Sequence, residues 1–310
     1  MVQDCVSSMR NLISLEKLEE NVILELFFRA EKIKNFFYSK GRFPFSLDNS
    51  QIALVFGEPS TRTKISFQMA AQRLGAGALV FEENSNSSKK KGESAEDTFF
   101  TIESMLPQVL VVRCGENWDL ANWAEKSRVP VLCAGWGQKA HPTQALLDIF
   151  TLYEKWKGSL SGRKLLFLGD LKHSRVFQSH RELAQVMGIQ LGIVAPKDWQ
   201  PSDMQGLQVF NSVDDALTWS DALSGLRVQK ERHEMSASSS EVSLKNTCLR
   251  PRHLEKLRED QWILHPGPVN WGVELCREVQ KDSRNLIRQQ VENGVFIRAM
   301  VLKALIEGWK

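Results

Sequence analysis

Ile52-Ala53-Leu54-Val55-Phe56-Gly57-Glu58-Pro59-Ser60-Thr61-Arg62-Thr63-Lys64 opens as an unbroken apolar run and closes in hydroxyls and cations. An apolar run of strand length with no alternation suits a strand buried on both faces, as in parallel sheets. The residues after it read as a turn and then a helix from about Thr61. The same order recurs along the chain. Ala78-Leu79-Val80-Phe81 precedes a polar loop and a helix from Ala95 to about Met105, and Val109-Leu110-Val111-Val112 and Val131-Leu132-Cys133-Ala134 follow. Strands alternating with helices predict a parallel sheet covered on both sides.

The pattern begins with a helix, since Leu15, Leu18, Val22, Leu26, Ala30 and Ile33 recur at helical spacing. A helix from Pro142 to about Trp156 bridges to a second strand set. That set comprises Leu165-Leu166-Phe167-Leu168, ending at Gly169-Asp170, then Leu191 to Val194, Leu207 to Phe210, Ala222 to Ser224 and Trp262 to Leu264. The Ser-rich stretch 236–246 reads as a mobile surface loop. The last helix, about Val295 to Ile306, is apolar enough to dock back onto a core. The expected fold is α/β, with two doubly wound domains, each a mostly parallel sheet flanked by helices, joined by interdomain helices. The expected boundaries are 1–142, with a terminal helix of about 290–310 packing back onto it, and 143–289.

Composition narrows the function. The chain has 310 residues, 42% hydrophobic and 25% charged, as ordinary globular domains do. Forty basic residues against thirty-seven acidic ones leave +3, which gives no reason to expect nucleic acid or a membrane surface as partner. No apolar run approaches the roughly 20 residues of a membrane-spanning helix. The opening Met1-Val2-Gln3-Asp4-Cys5 lacks the marks of a signal peptide, and the five cysteines are scattered without a C-x-x-C pair. Plain thiols in a reducing cytoplasm are the expectation, with no metal site.

Open α/β sheets bind ligands beyond the carboxyl ends of their strands. Ser60-Thr61-Arg62-Thr63 stands there at a helix start, where unpaired N–H groups and partial positive charge suit a phosphate. The spacing is not that of a P-loop, and a merely capped helix would read similarly. Ser87-Ser88-Lys89-Lys90-Lys91 follows the second strand, although a lysine run is more often a solvated loop. Arg113 ends the third strand, and a guanidinium there grips oxyanions. His141-Pro142-Thr143-Gln144 shares the rim, although a lone histidine is more often structural. In the second domain, Lys172-His173-Ser174-Arg175, Arg227-Val228-Gln229-Lys230-Glu231-Arg232 and His265-Pro266-Gly267-Pro268 follow strand ends. A phosphate seat in one domain and arginines suited to carboxylates in the other would serve a transfer from a phosphorylated donor to an acidic acceptor across a cleft.

F-G-E-P-S-T-R-T, K-G-E, H-P-T-Q-A-L-L-D, G-D-L-K-H-S-R, R-V-Q-K-E-R and H-P-G-P-V-N, in this order, resemble the motifs of the aspartate carbamoyltransferase family, catalytic chains of the aspartate/ornithine carbamoyltransferase superfamily. S-T-R-T is shared with ornithine carbamoyltransferases; the last two motifs point to aspartate. The resemblance implies carbamoyl transfer to L-aspartate in pyrimidine biosynthesis, with no cofactor. It implies that Ser60, Thr61, Arg62, Thr63 and Arg113 bind the phosphate of carbamoyl phosphate. Thr63, Arg113 and His141 would contact the carbamoyl oxygen, and Gln144, Pro266 and Gly267 the carbamoyl end. Arg175, Arg227 and Gln229 would bind aspartate. Ser87 and Lys91 would come from a neighbouring chain of a homotrimer with shared sites, Lys91 serving both substrates. Glu58 would pair with Arg175 and Arg232 on domain closure. Regulatory chains or a dihydroorotase join such trimers in some relatives, and the sequence selects neither.

Lys64, Gly57, Ser224-Gly225 and Trp271 depart from the common pattern of that family. Two other readings remain. One is a carbamoyltransferase for ornithine or a related amine, whose acceptor would call for an acidic partner. The other is a non-catalytic scaffolding paralogue, which would be expected to have lost site residues.

Overall fold

The computed structural model describes residues 10–83, 92–228 and 247–309. The chain divides into two compact units, Met1–Leu147 with Val291–Lys310, and Asp148–Gln290. The division falls at Leu147, later than the expected residue 142 and within the bridging helix. The Ser-rich stretch 236–246, together with Ser87, Lys91, Gln229 and Arg232, lies outside the described residues.

In the first unit, α1 (Glu20–Lys40) is followed by β1 (Gln51–Phe56), α2 (Thr61–Arg73), β2 (Gly77–Glu82), α3 (Ala95–Glu103), β3 (Val109–Cys114), α4 (Leu120–Lys126), β4 (Val131–Trp136) and the start of α5 (Pro142–Lys155), which passes into the second unit at Asp148. The four strands form a wholly parallel sheet in the order β2-β1-β3-β4. Alternate residues of β1 explain the unbroken apolar run. Ala53 and Val55 join a core with Leu110, Val112, Phe99, Trp118 and Trp123, while Ile52, Leu54 and Phe56, on the opposite face, are equally buried.

The opening helix is shorter than its periodicity predicts. Leu15 and Leu18 are buried but precede α1, which starts at Glu20. The cause lies just upstream, where Leu12 pairs with β4: its N–H donates to the Val131 carbonyl at 2.9 Å and its carbonyl accepts from Cys133 N at 2.9 Å. An extended segment there forces a turn before a helix can begin.

In the second unit come β5 (Lys164–Gly169), α6 (Arg175–Met187), β6 (Gln190–Val194), β7 (Leu207–Val209), α7 (Val213–Leu217), β8 (Ala222–Leu226), α8 (Pro251–Leu254) and β9 (Trp262–Leu264). These strands are also all parallel, in the order β7-β6-β5-β8-β9. At the end of β5 the chain must turn sharply. Gly169 has φ +110°, and a Cβ there would stand 2.6 Å from the Leu226 carbonyl oxygen. Only glycine allows β5 and β8 to stay paired up to that point.

The last helix, α9 (Ile287–Glu307), starts well before the expected Val295. Polar residues conceal its first turns from a hydropathy reading. Gln290 is buried through hydrogen bonds instead, donating to Asp148 Oδ1 at 2.6 Å and accepting from His265 N at 2.9 Å. From Val291 onward α9 belongs to the first unit. There Phe296 lies 5.8 Å from the Phe37 ring, and buried Arg298 donates to Ser66 Oγ at 2.7 Å. Cys114, Cys133, Cys248 and Cys276 are buried thiols, none in a disulfide among the described residues, and burial pushes the Cys248 thiol up to about 11. No helix among the described residues is long and apolar enough to cross a membrane.

Candidate active site

Each sheet has one point where successive crossovers run in opposite directions, and such a switch point opens a crevice at the strands' carboxyl ends. In the first sheet it lies between β1 and β3. Phe56 pairs with Arg113 there, and the Gly57 N–H continues the ladder by donating to the Arg113 carbonyl at 2.8 Å. The sequence thus brings Glu58 to Thr63 beside the third strand's arginine. Glu58 Oε2 is 4.0 Å from Arg113 Nε, and both side chains are largely covered.

Ser60 is the N-cap of α2, in extended geometry. Its side chain makes no capping bond among the described residues, and no acidic residue occupies the first turn. Thr61 and Arg62 are exposed, whereas Thr63 is buried. The helix therefore presents backbone N–H groups, hydroxyls and a cation at a terminus whose first turn holds no acidic residue. His141 arrives by a short return from β4, where Trp136 and Ala140 form an antiparallel bridge. It is buried, and its carbonyl accepts from Gln144 N at 3.0 Å in the first turn of α5.

The second sheet's switch point lies between β5 and β8. Arg175, the first residue of α6, follows β5, and exposed Arg227 follows β8. Pro266 and Gly267 follow β9, next in the sheet. Buried polar groups shape these loops. Asp170, fully covered, accepts from His173 N at 3.3 Å and lies 3.0 Å from His173 Nδ1. Ser174 caps α6 with its own side chain, accepting from Phe177 N at 3.2 Å. Gly267 N donates to His265 Nδ1 at 2.8 Å.

The departures from the common family pattern have local causes. A Cβ on Gly57 would meet Trp118 Cζ2 at 2.8 Å, so the ring fills the space a larger residue would take. Lys64 donates to Glu82 Oε1 at 2.7 Å, tying α2 to the end of β2. Gly225 lets His265 and Leu275 approach, since an added Cβ would be 3.1 Å from each. Trp271 packs against the core of the second unit and bridges to Leu275. Trp118, Gln290 and Glu274 (described below) were not singled out from sequence. Glu274 alone left a signal, an isolated acidic residue in the otherwise uncharged Val269-Asn270-Trp271-Gly272-Val273-Glu274-Leu275.

A phosphate-suited helix terminus on one doubly wound unit and arginine-bearing strand ends on another are compatible with a two-substrate transferase. Comparison with known proteins specifies which. Residues 10–154 match the model of the aspartate/ornithine carbamoyltransferase carbamoyl-P binding domain, and residues 161–305 match its Asp/Orn binding domain. The aspartate carbamoyltransferase catalytic subunit of Aliarcobacter butzleri is 37% identical over 302 residues, 96% of this chain and 98% of that one. Aspartate transcarbamoylase of Trypanosoma cruzi, solved with N-(phosphonacetyl)-L-aspartic acid, superposes with TM-score 0.85 at 29% identity, covering 93% of each chain. The catalytic subunit of the M. jannaschii aspartate transcarbamoylase gives 0.84 at 30% identity, over 96% of this chain and 98% of its own. The chain belongs to the aspartate/ornithine carbamoyltransferase family.

Proposed function

We propose that this protein transfers the carbamoyl group of carbamoyl phosphate to the α-amino group of L-aspartate, giving N-carbamoyl-L-aspartate and phosphate, a step of pyrimidine biosynthesis. The observation that carries the donor half is the first switch point, where the Gly57-to-Arg113 backbone bond sets the Ser60 to Thr63 helix start beside Arg113. Arg175 and Arg227, on neighbouring strand ends of the second sheet, support an acceptor bearing carboxylates. An ornithine side chain would instead call for an acidic partner.

In this reading Ser60, Thr61, Arg62, Thr63 and Arg113 hold the phosphate. Gln144, with the backbone of Pro266 and Gly267, holds the carbamoyl end. Arg175, Arg227 and Gln229 hold aspartate. The uncharged amino group attacks the carbonyl carbon, and negative charge grows on its oxygen. Donors from Thr63, Arg113 and His141 stabilise that charge, each worth roughly 3–4 kcal/mol if an oxyanion-hole donor is the guide. The C–O bond to phosphate then breaks, the amine nitrogen gives its proton to the departing phosphate, and hydrogen phosphate leaves from the cations that bound it. Holding both substrates in register supplies much of the rest.

A homotrimer with shared sites belongs to the same reading, with Ser87 and Lys91 entering a neighbour's site. Ile65 and Met69 on α2, with Leu79 and Val80 on the edge strand β2, are exposed apolar side chains that an adjacent chain would cover. Glu58, beside Arg113, would take Arg175 and Arg232 as partners when substrates close the site. Buried thiols outside disulfides, among the described residues, support a cytoplasmic setting.

The deciding experiment gives the purified protein carbamoyl phosphate with L-aspartate or with L-ornithine and follows phosphate release and the carbamoylated product. Turnover with aspartate alone is expected, and turnover with ornithine alone would overturn the assignment. Sedimentation of the same sample as a monomer would remove the shared-site part.

A further inference from the structure

Glu274 has a buried carboxylate, 2% exposed, although it lies in neither a strand nor a helix. Its Oε1 accepts from Val228 N at 2.8 Å and from Asn270 Nδ2 at 2.8 Å, and its Oε2 accepts from Asn270 N at 2.9 Å. Val228 is the residue between Arg227 and Gln229, and Asn270 ends the His265-Pro266-Gly267-Pro268-Val269-Asn270 segment. One side chain thus joins two loops that leave neighbouring strands β8 and β9.

The mount is rigid. Leu249 N donates to the Glu274 carbonyl at 3.0 Å, Cys276 N donates to the Leu249 carbonyl at 2.8 Å, and Gly272 N donates to the Leu275 carbonyl at 2.7 Å. Leu275 is itself fully buried in the core of the second unit. Burial pushes the Glu274 pKa up, and its bonds to Val228 and Asn270 oppose that rise. A carboxylate retained in such a place at a desolvation cost has to be explained by what it holds.

We propose that Glu274 is a positioning residue for the acceptor: by anchoring Val228 and Asn270 together, it fixes where Arg227 presents its guanidinium relative to the Pro266–Gly267 backbone. This rests on the reading of Arg227 as an acceptor-binding residue. Arg227 is exposed while Val228 is 2% exposed, so the backbone anchor lies one residue from the group it aims. Small misplacements of a substrate-holding group are costly, because they remove the alignment on which transfer depends.

The test is a kinetic comparison of Glu274→Gln with the unaltered protein. Glutamine keeps the shape but puts an amide NH2 where one carboxylate oxygen accepted. The expected result is a KM for aspartate about 10-fold higher, the scale of one charge-assisted hydrogen bond. The KM for carbamoyl phosphate should rise less, within about 2-fold, since most of its proposed contacts, Ser60 to Thr63 and Arg113, lie in the first unit and only the Pro266–Gly267 backbone belongs to the anchored loops. Glu274→Asp, which keeps the charge on a shorter arm, should fall between the two, and it carries the test if the glutamine variant is not recovered folded. An unchanged KM for aspartate in a folded variant would overturn the proposal. So would equal changes in both KM values, the mark of general loosening. Should the unaltered protein use a different acceptor, the functional reading falls, and the same ratio measured with that acceptor still decides the role of Glu274.

Discussion

The two helices that start at the switch points, α2 and α6, both have serine as N-cap, and the two serines are used differently. Ser174 turns its hydroxyl onto Phe177 N and closes its own helix. Ser60 makes no such bond among the described residues. Under the proposed function, the difference follows the ligand each terminus would serve. A helix start that binds phosphate needs its N–H groups and hydroxyls available. One that displays an arginine to a carboxylate needs a fixed backbone, and α6 supplies that internally, helped by Asp170 beneath the preceding turn.

The largest expected effect tests the phosphate end. Arg62 is exposed at the second position of α2. Arg62→Ala should lower turnover by about 10³-fold, the scale for losing a preorganised charge donor, with the circular dichroism spectrum unchanged. A near-normal rate would break the comparison, because α2 would then be no more a phosphate seat than α6.

How much of this contrast is legible in the sequence depends on the kind of interaction. The strand ends are plain, because parallel strands buried on both faces leave continuous apolar runs, and Trp262 to Leu264 matches to the residue. Arg62, Arg113, Arg175 and Arg227 stand out because a cation after such a run is conspicuous. The first turns of α9 are invisible, since Gln290 is buried by hydrogen bonds rather than by hydrophobicity. The start of α1 is misread because Leu15 and Leu18 keep helical spacing while Leu12 pairs with β4. Whether a serine caps its own helix is equally silent, since both N-caps read alike. Trp118 behind Gly57 and Glu274 behind Val228 are contacts between segments far apart in the chain, which local pattern cannot reveal.

An intermediate effect is expected where Gly57 meets Trp118. The ring has little room to yield, since Trp118 lies 5.3 Å from the Trp123 ring and its carbonyl accepts from Trp136 Nε1 at 3.0 Å. Gly57→Ala should therefore destabilise the protein by about 1–3 kcal/mol in denaturant unfolding, the usual cost of overpacking. Trp118→Phe in the same chain should recover most of that loss. If Gly57→Ala is neutral, the loop from Gly57 to Ser60 is looser than the fixed turn at Gly169, and the contrast between the units is drawn in the wrong place.

The smallest effect bears most directly on the two serines. Ser174→Ala removes an N-cap bond and should cost about 1 kcal/mol of stability. Ser60→Ala removes none, so its unfolding midpoint should stay close to that of the unaltered protein. The kinetic effects should be reversed: Ser60→Ala should raise the KM for carbamoyl phosphate, whereas Ser174→Ala should leave it nearly unchanged. Measuring unfolding midpoint and KM on both variants gives four values whose pattern matters more than any one of them. Equal stability losses would mean that Ser60 caps α2 in solution. In that case the N-terminus of α2 would be closed before its ligand arrives, and phosphate would have to displace the hydroxyl to bind.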